Sequence, residues 1–157
     1  MENLVIRRAT PNDVDGIIAT NIECLPEHYP LSFWMEHIER WGDAFYVAEV
    51  NGKIVGYVMC RIEYGQGYVR NVMRTLGHVV SVAVREKFRR RGIATNLMLA
   101  SMDAMKRVYG VEEVYLEVRV SNEPAINLYR KLGFEIVKKI ENYYLDGEDA
   151  YVMAREL

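Results

Sequence analysis

Two groups of residues in this chain have the types and spacing of a reactive site. The first is Arg89-Arg90-Arg91-Gly92-Ile93-Ala94, which follows the apolar run Val79-Val80-Ser81-Val82-Ala83-Val84 and opens a long amphipathic segment. A basic, glycine-containing turn between a buried strand and a helix N-terminus aims backbone N–H groups at an anion, with about half a positive charge from the helix dipole behind them. That chemistry suits a phosphate-bearing ligand, and a nucleotide, a sugar phosphate or sulfate would each serve; for any single arginine the plain alternative is a solvated basic face. The second group centres on Glu117. In the stretch from Glu113 to Val120, Val114, Leu116, Val118 and Val120 share one face by the period of two, while Tyr115, Glu117 and Arg119 share the other. A carboxylate in an internal parallel strand needs either a partner or access to water. An ion pair with Arg119 or Arg61 is the plain alternative to acid–base work. Cys24 and Cys60 lie in apolar segments without metal-ligand spacing and read as buried thiols.

The elements that must hold these groups follow from local signals. Leu4-Val5-Ile6-Arg7 reads as a strand, and Thr10-Pro11-Asn12-Asp13 as a helix start, with Thr as N-cap, Pro in the first turn and a carboxylate three residues after the cap. That helix runs to about Cys24. Pro26 and Pro30 make Leu25 to Pro30 a loop, and Ser32 then caps a second helix to about Trp41. Ala44 to Val50, the Asn51-Gly52 turn and Lys53 to about Glu63 form a hairpin, because Asn-Gly favours the primed turn that matches strand twist. Gly65 to Gly77 carries little structural signal and reads as a loop. His78 to Val84 is a strand, Gly92 to Tyr109 a helix, Glu113 to Val120 a strand, and Ser121-Asn122-Glu123-Pro124 starts a helix ending at Gly133. Strands at about Phe134 to Ile140 and Ala150 to Glu156 close the order. The central βαβ unit makes its two strands parallel.

Composition bounds the function. At 157 residues the chain reads as one domain, and 20 basic against 22 acidic residues leave a formal net charge of −2. Half the residues are hydrophobic, which excludes disorder, and the near balance of charge excludes a general nucleic-acid binder. No run reaches the roughly 18 apolar residues of a membrane span, and Met1-Glu2-Asn3 lacks the regions of a signal peptide. A cytoplasmic protein without membrane or direct nucleic-acid partners is expected.

Arg89 to Ala94 fits the Arg/Gln-x-x-Gly-x-Gly/Ala signature of the GNAT acetyltransferases, and the stretch from Ser121 to Phe134 is similar to the Asn…Ala…Leu-Tyr…Gly-Phe segment of the same superfamily. Over essentially the whole chain the resemblance extends to the N-terminal acetyltransferases, above all the catalytic subunit of N-terminal acetyltransferase A and its archaeal single-subunit relatives. Leu25 to Pro30, Gly77 to Val84 and Tyr143 to Tyr151 carry it; His28 stands where that family typically has Asn, and Leu145 where it often has Ala. The resemblance implies an α/β (α+β) GNAT fold, a mixed sheet of about seven strands with about four helices, antiparallel in its N-terminal half around a parallel cofactor-binding centre. It implies acetyl-CoA as cosubstrate with no metal. Val82, Ala83 and Val84 would hold the pantetheine arm, and Arg89, Arg90, Arg91, Gly92, Ile93, Ala94 and Thr95 the pyrophosphate. Asn122 would lie near the pantetheine, although capping the helix at Glu123 is an equal reading. Tyr129 would protonate the leaving thiolate, or else belong to the core.

The resemblance also implies the acceptor, a protein or nascent-chain N-terminus, with the ribosome or an auxiliary subunit as further partners that the family admits. An α-amino group has a pKa near 8, so freeing it at pH 7 costs roughly 1.4 kcal/mol, against about 4.6 kcal/mol for a lysine near 10.4. The matching base or water-positioning residues are His78 and Glu117; a backbone hydrogen bond is the plain alternative for His78. Glu27, Tyr29, Tyr143 and Tyr144 match residues that close over the first two residues of the substrate. Glu27 would help select Ser, Ala, Gly or Thr starts over larger Met starts, its alternative being an exposed loop carboxylate. A ribosomal-protein alanine N-acetyltransferase, a small-amine acetyltransferase and a noncatalytic acyl-CoA-binding regulator are the competing readings.

Overall fold

The computed structural model describes residues 3–157; Met1 and Glu2, on which the signal-peptide reading partly rests, lie outside the described residues. Among the described residues, seven strands and four α-helices follow in the order β1 (Leu4–Arg8), α1 (Val14–Cys24), α2 (Leu31–Trp41), β2 (Tyr46–Val50), β3 (Lys53–Gln66), β4 (Met73–Val84), α3 (Ile93–Tyr109), β5 (Glu113–Arg119), α4 (Glu123–Lys131), β6 (Glu135–Ile140) and β7 (Ala150–Glu156). The strands are hydrogen-bonded in the order β1-β2-β3-β4-β5-β7-β6. The chain forms two compact units: residues up to Arg61 together with Val79–Tyr109, and Ile62–His78 together with Gly110–Leu157.

In the first unit, β1 and β2 pair antiparallel, as do β2 and β3. Asn51 and Gly52 both have positive φ, 50° and 82°, as the expected primed turn requires. Strand β2 starts at Tyr46 rather than Ala44, because Gly42–Ala44 forms a 3-10 turn first. The Asp13 carboxylate accepts from the Thr10 amide at 2.7 Å, so the predicted cap holds the entry to α1. Helix α2 begins at Leu31, one residue before the expected cap at Ser32, because Pro30 takes the N-cap position and its carbonyl accepts from Phe33. The core gathers Ile17, Trp34, Ile38, Phe45, Val47, Tyr57 and Met59. Helix α3 buries Ile93, Leu97, Met98, Ser101, Met102, Ala104 and Met105, the helical spacing of one apolar face. Its end carries Lys106 and Arg107, followed by Gly110 at φ 66°. Cys60 is buried as expected, whereas Cys24 is only half-buried.

In the second unit β5 is central. It pairs parallel with β4 through Leu76, Gly77 and His78, and antiparallel with β7 along its whole length. The expected loop from Gly65 to Gly77 is corrected here: β3 continues to Gln66 and β4 starts at Met73, so only residues 67–72 connect them. Glu113 explains the difference. Its side chain is 0% exposed and accepts from the amides of Tyr68, Val69 and Arg70 at 2.8, 2.9 and 2.9 Å and from Arg74 at 2.9 Å. A short loop thus wraps a buried carboxylate and delivers Arg74 into the strand. Strand β6 is exposed along most of its length and carries Lys138 and Lys139, charges that discourage further pairing at a sheet edge.

Candidate functional site

Alternation along β4 and β5 sets the chemistry of the second unit. His78 follows Leu76 on β4, and Tyr115 and Glu117 follow Glu113 on β5, so their side chains share a face of a parallel pair. His78 Nε2 lies 2.7 Å from Glu117 Oε1, and its Nδ1 lies 3.5 Å from Glu63 Oε2 on β3. The Tyr115 hydroxyl donates to the other oxygen of Glu63 at 2.6 Å. The Tyr115 ring stacks on His78, with centroids 4.3 Å apart and planes 4° from parallel, and Tyr68 packs against Tyr115 at 4.7 Å. Glu117 therefore has His78 as a close partner. His78 is not strand-initial, and its ring is bound by carboxylates rather than by backbone.

Burial opposes a charged ring, but the hydrogen bonds and charges of Glu117 and Glu63 outweigh it and raise the His78 pKa to about 9. His78 is thus an imidazolium at neutral pH, the state in which both ring nitrogens donate. Burial, reinforced by Glu63, pushes the Tyr115 phenol well above its ordinary value. Burial alone takes Tyr129 on α4 up to about 12, so its hydroxyl keeps its proton. Asn122 is the N-cap of α4 and accepts from the Ala125 amide at 3.3 Å, which is the capping reading. In the segment between β6 and β7, Tyr144 lies under the Arg119 guanidinium, 4.0 Å from ring centroid to carbon, and Tyr143 meets it edge-on at 5.0 Å. Arg119 is in turn held by Asp146 at 2.8 Å and Glu148 at 2.9 Å.

The first unit carries the anion cradle. The i→i−4 bond that opens α3 runs from the Asn96 amide to the Gly92 carbonyl at 3.0 Å, so the amides of Ile93, Ala94 and Thr95 precede the helical ladder. Arg90 and Gly92 take positive φ, 64° and 77°, and a Cβ built on Gly92 would meet nothing within 4 Å. Exposed backbone thus leads into a helix of 17 residues. The Arg89 Nε donates to the Val84 carbonyl at 2.8 Å, which ties the turn to the end of β4, where Val82, Ala83 and Val84 lie. Arg91 packs over Phe88 at 5.3 Å. In the loop before α2, the buried Asn21 amide donates to the Glu27 carbonyl at 3.0 Å and to the Tyr57 hydroxyl at 3.1 Å. Tyr29 stacks on Phe33 at 4.6 Å, and its carbonyl accepts from Trp34 at 3.2 Å. Glu27 is half-buried rather than an exposed carboxylate.

Residues 14–134 match the acetyltransferase (GNAT) family. The chain belongs to that family. It is 57% identical over 154 residues to an N-alpha-acetyltransferase of Sulfurisphaera tokodaii, spanning 97% of this chain and 92% of the relative. It is 44% identical over 154 residues to the catalytic subunit of the N-terminal acetyltransferase A complex of Arabidopsis thaliana, spanning 97% and 77%. A chain of the NatC complex solved with Gag peptide and CoA superposes with a TM-score of 0.87 at 27% identity, covering 99% of both chains. Within the GNAT family this chain is an enzyme of the N-alpha-acetyltransferase branch, and the small-amine and noncatalytic readings gain nothing from these relatives.

Glu63, Tyr115 and Tyr68 complete the cluster around His78, and no sequence motif marks the three as a group. Tyr115 shares the face of Glu117 by alternation and could have been found that way; Glu63 and Tyr68 are brought in by β3 and the loop that follows it. Among the described residues, no group of three or more His, Cys, Asp or Glu is placed to hold a metal ion, and no helix is long and apolar enough to cross a membrane.

Proposed function

We propose that this chain transfers the acetyl group of acetyl-CoA to the α-amino group of protein N-termini, chiefly those starting with Ser, Ala, Gly or Thr and some starting with Met. The observation that carries this reading is the cluster of Glu63, His78 and Glu117, two carboxylates around one imidazolium. Its net charge of about −1 attracts an α-ammonium and can take one proton from it. The acceptor matters energetically, because the roughly 1.4 kcal/mol needed to free an α-amine at neutral pH is within reach of a carboxylate acting directly or through one water. A protonated His78 cannot itself be the base, so Glu117 takes the proton while His78 orients and stabilises its charge.

The anion cradle fits the pyrophosphate of coenzyme A. Amides at the start of α3, positive φ at Arg90 and Gly92 and open space over Gly92 let the backbone approach a phosphate closely. Bound acetyl-CoA supplies an activated thioester carbonyl and a thiolate leaving group. Tyr129, held protonated by burial, donates to that thiolate. Val82, Ala83 and Val84 offer backbone groups to the pantetheine arm, and Asn122 serves α4 as its cap.

Peptide recognition rests on Glu27 and Tyr29 in one loop and Tyr143 and Tyr144 in another. Tyrosine hydroxyls bond backbone groups that every peptide has, so selection falls to pocket size and to Glu27. The CoA and peptide of the NatC complex support the donor and acceptor classes. We place the activity in the cytoplasm. Incubation with acetyl-CoA and a peptide library varied at its first two positions, read by mass spectrometry, tests the reading: small-first-residue peptides are acetylated, and a library left unmodified overturns it.

A further inference from the structure

Glu63 has no assigned part in acetyl transfer, yet it is the second carboxylate on the His78 ring. Its position is specific. One oxygen accepts from the Tyr115 hydroxyl at 2.6 Å, which turns the other toward His78 Nδ1 at 3.5 Å, and the Tyr115 ring that makes this bond also fixes the imidazole plane by stacking at 4.3 Å. The three groups come from β3, β4 and β5, and Tyr68 from the intervening loop covers Tyr115. We propose that Glu63 is a positioning residue of the reaction: it holds the Nδ1 side of His78 so that both ring nitrogens stay donors and Glu117 stays the proton acceptor. The inference rests on the acetyl-transfer reading of the same cluster.

The count of donors and acceptors sets the state of the ring. A carboxylate has only acceptors, and a neutral imidazole has one N–H and one lone pair. With carboxylates on both nitrogens, a neutral ring would point its lone pair at one of them, so the pair of carboxylates selects the imidazolium. If Glu63 were absent, Nδ1 could deprotonate while Nε2 kept its hydrogen bond to Glu117 at 2.7 Å, and the ring charge that supports the Glu117 carboxylate would be lost at neutral pH. The groups facing His78 are Glu63 from β3, Glu117 and Tyr115 from β5 and, through Tyr115, Tyr68 from the loop. The raised His78 pKa, to which the hydrogen bonds and charges of Glu117 and Glu63 both contribute, agrees with this arrangement.

The test compares wild type, Glu63→Gln, His78→Asn and the double variant. In wild type, ring nitrogen shifts read by NMR are expected to report both His78 nitrogens protonated at neutral pH; a neutral tautomer there overturns the proposal without any variant. In Glu63→Gln the His78 titration midpoint is expected to fall by about two units or more, to near neutrality. Its kcat should drop roughly three- to thirtyfold with the acetyl-CoA KM held within about twofold, because the residue acts through the transition state. In the His78→Asn background Glu63→Gln should add almost nothing. An unmoved His78 midpoint, or additive losses of kcat, refutes the role, including the case where Glu63→Gln merely loosens the fold. A wild-type protein that acetylates no peptide refutes the enzymatic reading instead, while the ring titration still reports on Glu63 and His78.

Discussion

Replacing Glu117 by Gln changes one atom and removes one charge at the point where the account needs a proton acceptor. Glu117 Oε1 is 2.7 Å from His78 Nε2, with the two side chains 16% and 18% exposed, so the bond is charge-assisted and largely shielded from water. Such bonds contribute about 1.5–3 kcal/mol, equivalent to roughly one to two units of His78 pKa. The Gln amide oxygen can still accept from the ring, so the fold and the ring position should survive. What it cannot do is hold a proton. General bases contribute about 10²–10⁴ in rate, and an α-amine near pKa 8 needs less help than a lysine, so turnover should fall about ten- to a thousandfold. Steady-state kinetics with a Ser-starting peptide should show this in kcat with little change in the KM for acetyl-CoA, and the deficit should narrow as pH is raised and the amine arrives already deprotonated. Near-normal turnover at neutral pH, or a loss confined to KM, would remove Glu117 from the proton path.

Four further outcomes are expected. The folded-state pKa of His78, about 9, lies above its ordinary 6.5, so its stabilisation is fully present below about 6.5 and lost as pH rises through 9; the gap, roughly 3 kcal/mol, should appear in denaturant melts of wild type against His78→Gln. Glu113→Ala strands three loop amides and Arg74, and chemical denaturation should register a loss of about 3–5 kcal/mol. Gly92→Val places a β-branched residue at φ 77° but in open space, so the fold should lose only about 1–2 kcal/mol, while the acetyl-CoA KM rises about tenfold or more; an unchanged KM would take this turn out of the cofactor site. Glu27→Val should shift a peptide panel toward Met-Leu starts, and an unchanged profile would end its role in selection.

Much of the fold was legible because local chemistry and tertiary packing agree. Thr10 with Asp13, Asn51-Gly52, Asn122 before Glu123-Pro124 and the alternation of β5 each fixed an element where the sequence placed it. The start of β4 was hidden because Met73 to Gly77 has no alternation of its own. Its pairing depends on Arg74 reaching Glu113 and Glu156, residues 39 and 82 positions away. The same reason separates the legible from the illegible part of the site. Glu117 stood out as a carboxylate in an apolar strand, but its bond to His78 spans 39 positions and the Tyr115–Glu63 bond spans 52. Nor does a sequence reveal protonation. His78 and Glu117 read as two possible bases until the second carboxylate, Glu63, made one of them an acid already holding its proton.

The most direct measurement gives the protein acetyl-CoA and a Ser-starting peptide that carries one internal lysine, then locates the acetyl group by fragment mass spectrometry. Acetylation is expected at the α-amine, with the lysine unmodified and the rate reduced in Glu117→Gln. Acetyl found on the lysine, or at the α-amine at an unchanged rate in that variant, would contradict it.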